Sequence, residues 1–300
     1  MHLDMRVNGT TKLIGLVGNP VGHSVSPVLQ NSFFTAMDIN GIYVPLKVPA
    51  GCLRDAVRGL RDSGFAGFNI TIPYKEEILY YADEVTEEVK LLGAANTVKI
   101  ENGKFFAYNT DGDGFVRAFE EETGTGFEHK TICILGAGGT AKALAVKIAL
   151  KGARRISIIN RTEIKAVELA SSVNHVLIAE GSVENVASAA VSGTAEASRM
   201  LNGSDIIVNT TSVGMYPDRD SSPLPQDFLF QKKQIVYDVI YNPAQTKLLS
   251  NARANGSKTV NGAGMLFYQG LRAFEIIMGK VVPVDISTRI SEDFFKYLGT

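Results

Sequence analysis

Short hydrophobic runs, many of them β-branched, alternate along the chain with longer stretches in which apolar residues recur every three or four positions. That alternation predicts an α/β fold, with buried strands linked by amphipathic helices. In the first part, strands are expected over 12–17, 43–48 and 67–72, and helices over 26–37 and 53–63, where Pro27 suits a first helical turn. Residues 99–106 read as a hairpin, because Asn102-Gly103 favours the positive φ angles of a tight type I′ turn. After Asp111 a polar helix (115–122) leads into a strand (131–135), a helix (140–151), a strand (156–160) and a helix (166–173). The Ala- and Ser-rich stretch 187–201 reads as a helix broken near Gly193. Further strands are expected at 205–209, 234–239 and 258–260, a helix at 246–255, and a last helix from Gly264 towards Met278 with a helical remainder.

At 300 residues the chain is long enough for two domains. The change of texture suggests a nucleotide-binding unit, 112–261, inserted into a second domain made of 1–111 and 262–300. Composition narrows the function. Lys plus Arg total 30 against 31 Asp plus Glu, a net charge of −1, so no basic excess is available for nucleic acid or for a polybasic membrane anchor. Hydrophobic residues make up 45%, enough to fill real cores. Cys52 and Cys133 form no CxxC pair, and His2, His23, His129 and His175 are scattered, so neither a disulfide framework nor a metal site is expected. No apolar run reaches the roughly 18 residues of a membrane span, and the first ten residues have no signal-peptide core. The expectation is a reduced, cytoplasmic protein; a monomer and a homodimer fit the sequence equally.

The strongest local motif is the run from Thr131 to Ala141, TICILGAGGTA: a buried strand, then Gly136-Ala137-Gly138-Gly139-Thr140-Ala141, then a helix. In a dinucleotide fold Gly136 makes the tight turn, Gly138 lets a pyrophosphate approach the backbone, and Ala141 allows close helix–sheet packing. The helix N-terminus then offers free N–H groups and a positive dipole end. At the end of the following strand an NAD enzyme places an acid, whereas this chain has Asn160-Arg161-Thr162, with Lys165 a turn later. Arg161 can meet a 2′-phosphate with a planar fork and Thr162 can add a hydroxyl, so NADP is preferred. The bland alternative, a solvated Arg at a helix start, gains nothing from the helix dipole.

The N-terminal part carries polar residues where packing asks for none. Ser24 and Ser26, just before a helix, suit a carboxylate ligand, although Ser26 alone would be an ordinary N-cap. Asn69 and Thr71 lie two apart on a strand and so share a face, with Lys75 beyond the strand end. Asn96 and the stretch Asn109-Thr110-Asp111-Gly112-Asp113-Gly114 add an amide and a carboxylate, though Asp111-Gly112 is also a common turn pair.

Taken in order, the stretches GNPVGHSVSP, NITIPYKEE, GAANT, YNTDGDG, GAGGTA, NRT, NTTSVGM, DVIYNP and NGAGMLFYQG, spread over residues 18–270, closely resemble the shikimate dehydrogenases. The resemblance implies a discontinuous α/β substrate domain joined to an inserted Rossmann-like NADP domain, and NADPH-dependent reduction of 3-dehydroshikimate to shikimate. It implies that Ser24 and Ser26 bind the substrate carboxylate and that Thr71, Asn96, Asp111 and Gln269 hold ring hydroxyls, with Asn69 and Tyr241 in the same site. Lys75 and Asp111 would be the catalytic pair. Asn160, Arg161, Thr162 and Lys165 would surround the adenosine phosphate, and Val239, Gly262 and Met265 would lie beside the nicotinamide. Family members often carry Arg where Lys165 stands; Lys keeps the charge and loses the fork.

Three other readings compete. A quinate/shikimate dehydrogenase using NAD shares the motifs, but Arg161 without a nearby acid weighs against it. A methylenetetrahydrofolate dehydrogenase also combines two domains and a lysine, and the Ser24/Ser26 pair fits it poorly. A non-catalytic NADP-binding sensor would need neither Lys75 nor Asp111.

Overall fold

The structure is a computed structural model that describes residues 7–182 and 184–299. His2 and most of the N-terminal stretch considered above lie outside the described residues. The chain forms two units: one runs to Thr110 and takes in Phe267–Lys296, the other comprises Asp111–Leu266 and the residues from Tyr297. The last helix of the sequence reading therefore begins in one unit and continues in the other. Asp111 and the segment from Gly262 to Leu266 group with the second unit, whereas the sequence reading sets them with the first.

The first unit is built from β1 (Lys12–Gly18), α1 (Ser26–Ala36), β2 (Gly41–Lys47), α2 (Leu53–Asp62), β3 (Gly67–Ile70), β4 (Glu84–Val85), α3 (Glu87–Leu92), β5 (Thr97–Glu101) and β6 (Lys104–Tyr108). Its sheet runs β2-β1-β3-β5-β6-β4. The β1, β2 and β3 strands are parallel, and β5 turns the sheet antiparallel. The β5–β6 hairpin closes through Asn102 (φ 51°) and Gly103 (φ 74°), the left-handed pair that its sequence demands. Strand β3 is buried along its whole length, so its side chains are held on both faces of the sheet. Val17, Phe68, Ile70, Tyr74, Val98 and Phe105 belong to a core cluster of this unit.

The second unit contains α4 (Asp111–Thr123), β7 (Thr131–Leu135), α5 (Gly139–Leu150), β8 (Arg155–Asn160), α6 (Glu163–Ala179), β9 (Ala187–Val191), α7 (Ala195–Asn202), β10 (Ile206–Asn209), β11 (Ile235–Asp238), α8 (Lys247–Ala254), β12 (Lys258–Val260) and the start of α9 (Ala263–Met278). One further helix, α10 (Val284–Leu298), ends the chain. The sheet order is β12-β11-β10-β7-β8-β9, all parallel. Numbered within the unit, that is the doubly wound order 3-2-1-4-5-6, read from β9, whose order reverses beside the first strand. Ligands of such sheets bind at the carboxyl ends of the strands next to that reversal, here β7 and β10.

One expected helix is corrected. Residues 187–201 do not form a single broken helix: β9 occupies the first part and pairs with β8 from Ile156↔Ala187 to Asn160↔Val191. Alanine favours helix by only about 0.5 kcal/mol per residue over most alternatives, and five backbone positions offered an open sheet edge override that preference. Gly193 (φ 83°) makes the turn, and Thr194 caps α7 by accepting Ala197 N–H at 3.2 Å.

Candidate active site

In the first unit, the β3–β5 pairing brings Asn69 opposite Thr97. Asn69 is held there by three hydrogen bonds: its Nδ2 donates to Asn96 O at 3.1 Å and to Thr97 Oγ1 at 3.0 Å, and its Oδ1 accepts Tyr43 O–H at 2.9 Å. Burial pushes the Tyr43 phenol pKa far up, so that hydroxyl remains protonated and donates. With both N–H groups engaged, Asn69 braces its neighbours and has only an oxygen lone pair left for a ligand. Tyr43 escaped the sequence reading because an inward tyrosine on a strand looks like core.

Asn96 is the hub of the unit. Its Oδ1 accepts Thr110 N–H at 2.9 Å and Thr97 O–H at 3.1 Å, and its Nδ2 donates to Thr110 Oγ1 at 2.9 Å and Gln269 Oε1 at 3.4 Å. The Thr110 hydroxyl is also within 3.1 Å of the Gln269 carbonyl. A single buried amide thus ties β5, the residue preceding α4, and α9. Lys75 reaches the hub through its backbone, because its carbonyl accepts Ala95 N–H at 2.8 Å. Asp111 follows Thr110 directly and is the first, buried residue of α4, so the turn-pair reading of Asp111-Gly112 gives way to a helix start. Thr71 N–H is fixed to Val17 O at 2.9 Å, and Thr71 and Lys75 are both half-buried.

Ser24 and Ser26 stand before and at the start of α1. The cap position is Val25, with no side-chain cap hydrogen bond, so Ser26 is not the N-cap that the bland alternative makes it. The Ser24 Oγ accepts Ser26 N–H at 3.2 Å, which leaves the Ser26 hydroxyl outside the capping of the helix. The second acid of the DGDG stretch has a structural partner: Asp113 Oδ1 lies 2.6 Å from Lys147 Nζ. Gly112 packs so closely on α5 that an added Cβ would stand 3.2 Å from the Lys147 Cβ.

In the second unit, Gly136 has φ +106°, and a Cβ there would meet Thr210 Oγ1 at 2.8 Å. Only glycine combines that backbone angle with that contact. Thr210, which the sequence reading did not single out, donates to Leu135 O at 2.7 Å and so clamps the same turn. Gly138, the cap of α5, is extended and makes no side-chain cap, and α5 has no acid in its first turn. A methyl group on Gly138 or Gly139 would meet nothing within 4 Å. The open approach and the uncapped amides of a twelve-residue helix fit an anionic group such as a pyrophosphate. Ala137 and Thr140 flank these glycines and are half-buried.

Arg161, Thr162 and Lys165 are exposed at the end of β8 and the start of α6, and Asn160 Nδ2 donates to Thr162 O at 3.0 Å. Among the described residues neither Arg161 nor Lys165 pairs with an acid, and the Thr162 hydroxyl makes no cap to α6. Three side chains that carry donors are therefore exposed beside one strand end, which fits a bound phosphate. Val239 follows β11, and Gly262 approaches it so closely that any Cβ would collide with the Val239 carbonyl. Met265 is buried on the first turn of α9. Tyr241 is half-buried, and burial raises its phenol pKa. Among the described residues no cluster of three His, Cys, Asp or Glu side chains could hold a metal, and no helix is long and apolar enough to cross a membrane.

Comparison with known proteins agrees with this division. Residues 16–98 match the family model described as the shikimate dehydrogenase substrate binding domain, and residues 119–216 that of shikimate / quinate 5-dehydrogenase. A relative from Methanopyrus kandleri, named shikimate dehydrogenase (NADP+), is 40% identical over 286 residues, covering 95% of this chain and 97% of that protein. A crystal structure of a shikimate dehydrogenase in complex with NADP+ is 40% identical, with a TM-score of 0.87 over 98% of this chain and 99% of the other. The shikimate 5-dehydrogenase of Listeria monocytogenes, in complex with shikimate and NAD, is 35% identical, with a TM-score of 0.85 over 95% and 98% of the two chains.

Proposed function

The chain belongs to the shikimate dehydrogenase family, and from that premise we propose that it reduces 3-dehydroshikimate reversibly to shikimate with NADPH, a cytoplasmic step of aromatic amino-acid (chorismate) biosynthesis. The observation that carries the reading is the Asn96 hub. Three stretches far apart in sequence, each bearing a motif, meet at one buried residue, Asn96: β3 through Asn69, which bonds its backbone carbonyl, and the approach to Asp111 through Thr110 and α9 through Gln269, which bond its side-chain amide.

In this reading Ser24 and Ser26 take the substrate carboxylate, and Thr71, Asn96, Asp111 and Gln269 hold ring hydroxyls, with Asn69 orienting Asn96 and Tyr241 shaping the site. The Gly136–Thr140 turn takes the pyrophosphate on the amides of α5. Arg161, with Asn160, Thr162 and Lys165, holds the 2′-phosphate that distinguishes NADP from NAD. Val239, Gly262 and Met265 line the nicotinamide. When bound, NADPH supplies the hydride. The Lys75 ammonium donates the proton to the carbonyl oxygen and stabilises the negative charge that develops there. Asp111 fixes the neighbouring hydroxyl, so the carbonyl is held in one geometry.

Following NADPH absorbance with 3-dehydroshikimate, and then NAD+ reduction with quinate, tests this directly. Rapid turnover of the first pair with little of the second supports it. Preferential turnover of quinate with NAD+ favours the alternative specificity, and no turnover of either favours a binding protein.

A further inference from the structure

Two buried side chains at the carboxyl ends of β10 and β11 have no part in the chemistry above. Asn209 and Asp238 are both fully buried and stand opposite each other in the parallel pairing of these strands. Asp238 Oδ1 accepts Asn209 Nδ2 at 2.9 Å and Ile240 N–H at 3.1 Å, and its Oδ2 accepts the Thr246 hydroxyl at 2.7 Å. The Asn209 Oδ1 accepts Thr211 N–H at 3.0 Å and the Thr211 hydroxyl at 2.7 Å.

The bonds converge on the two peptide units that flank Val239. Val239 N–H is held by Asn209 O at 3.0 Å, and the next N–H along, that of Ile240, is held by the Asp238 carboxylate. Ile240 O accepts Gly262 N–H at 3.1 Å, and Gly262 lies directly against the Val239 carbonyl. Val239 is therefore fixed on both sides and sets the start of α9, where Met265 lies. Three donors compensate the carboxylate, but a buried charge without a cation is a costly way to join two strand ends, and apolar residues would join them at less cost.

We propose that the Asn209–Asp238 pair positions the Val239 peptide and the first turn of α9 for hydride transfer, so that the pair governs the chemical step and not the affinity for the dinucleotide. This rests on the reading that Val239, Gly262 and Met265 line the nicotinamide. The pair touches neither reacting atom and acts as a set of positioning residues. A displacement of about 1 Å at such a site costs on the order of a hundredfold in rate.

The test compares Asn209→Ala and Thr246→Val with Thr246→Ser and Thr194→Val. Thr246 caps α8 by accepting Leu249 N–H at 3.3 Å, much as Thr194 caps α7, so Thr194→Val removes an equivalent cap without touching Asp238. The readouts are kcat with 3-dehydroshikimate, NADPH affinity by the fluorescence of the bound dinucleotide, the kinetic isotope effect with 4-deuterated NADPH, and the folded fraction. Asn209→Ala and Thr246→Val are expected to lower kcat by at least about tenfold and to raise the isotope effect, with NADPH affinity changed by less than about threefold. Thr246→Ser should recover most of the rate, and Thr194→Val should keep it. If Asn209→Ala does not fold, Thr246→Val decides the matter. An active wild type with unchanged kcat in folded Thr246→Val, or an equal loss in Thr194→Val, overturns this inference alone. A wild type that does not oxidise NADPH overturns the activity and this inference together.

Discussion

Gln30 Nε2 donates a 2.8 Å hydrogen bond to the carbonyl of Gly270, joining α1 to α9 across 240 residues. The approach is close: an added Cβ on Gly270 would stand 2.7 Å from Leu29 Cδ2. Beside it Phe33 and Phe274 lie 5.2 Å apart, and Phe34 meets Phe274 edge-on at 5.1 Å. The late helix α9 is thus an integral wall of the first unit, and it carries Gln269 to the Asn96 hub.

Phe274→Ala should therefore destabilise the protein by about 3–5 kcal/mol, since the ring is fully buried and packs against Phe33 and Phe34. Urea unfolding with an unchanged m-value measures it. A loss below about 1 kcal/mol would mean that α9 is not an integral wall of this unit.

What the sequence made legible and what it hid differ for physical reasons. The Gly136 turn and the Asn102-Gly103 hairpin were legible because each needs a backbone angle that few residues adopt. The doubly wound sheet followed from the alternation of elements. Strand β9 was hidden because its register on β8 is a tertiary fact and its alanines suit either state. Tyr43 and Thr110 were hidden because their roles consist entirely of partners brought up by other strands. The meeting of Thr110, Asn96 and Gln269 had no local sequence signal, and only the family resemblance pointed Gln269 to the site.

Lys75→Ala should lower kcat by about 10²–10⁴, the usual worth of a positioned proton donor, while the KM for 3-dehydroshikimate moves much less. Lys75 holds Ala95 through its backbone carbonyl, which the substitution retains, so the Asn96 hub should survive. Steady-state kinetics together with an unchanged melting temperature check this. An unaltered kcat would remove Lys75 from the chemistry.

Arg161→Ala should discriminate between cofactors. A charge-assisted bond to a phosphate contributes about 1.5–3 kcal/mol, so the KM for NADPH should rise by about ten- to a hundredfold. NADH lacks the 2′-phosphate, and its KM should change by less than about twofold. Parallel titrations with the two reduced cofactors measure the ratio. Equal losses would show that Arg161 supports the loop as a whole and does not read the phosphate.

Asp238 leaves a signature in the pH dependence of stability. Burial raises its carboxyl pKa from the ordinary 3.8 to about 6, against the opposing pull of the hydrogen bonds from Thr246, Ile240 and Asn209. A folded pKa above the unfolded one means that the protonated acid is the form the fold prefers. Its stabilising contribution is complete below the unfolded pKa and is lost as pH rises through about 6. Asp238→Asn removes the ionisation, and whatever it costs in hydrogen bonding is nearly the same at every pH. The stability of the wild type relative to Asp238→Asn should therefore fall between about pH 4 and pH 7 by roughly 2 kcal/mol, since each pKa unit is worth about 1.4 kcal/mol and the unfolded carboxyl is already about half ionised at the lower pH. Urea unfolding of both proteins at the two pH values isolates the difference. A relative stability that is flat or rises with pH would mean that the three donors outweigh burial, and Asp238 would then hold the Val239 peptide at no electrostatic cost.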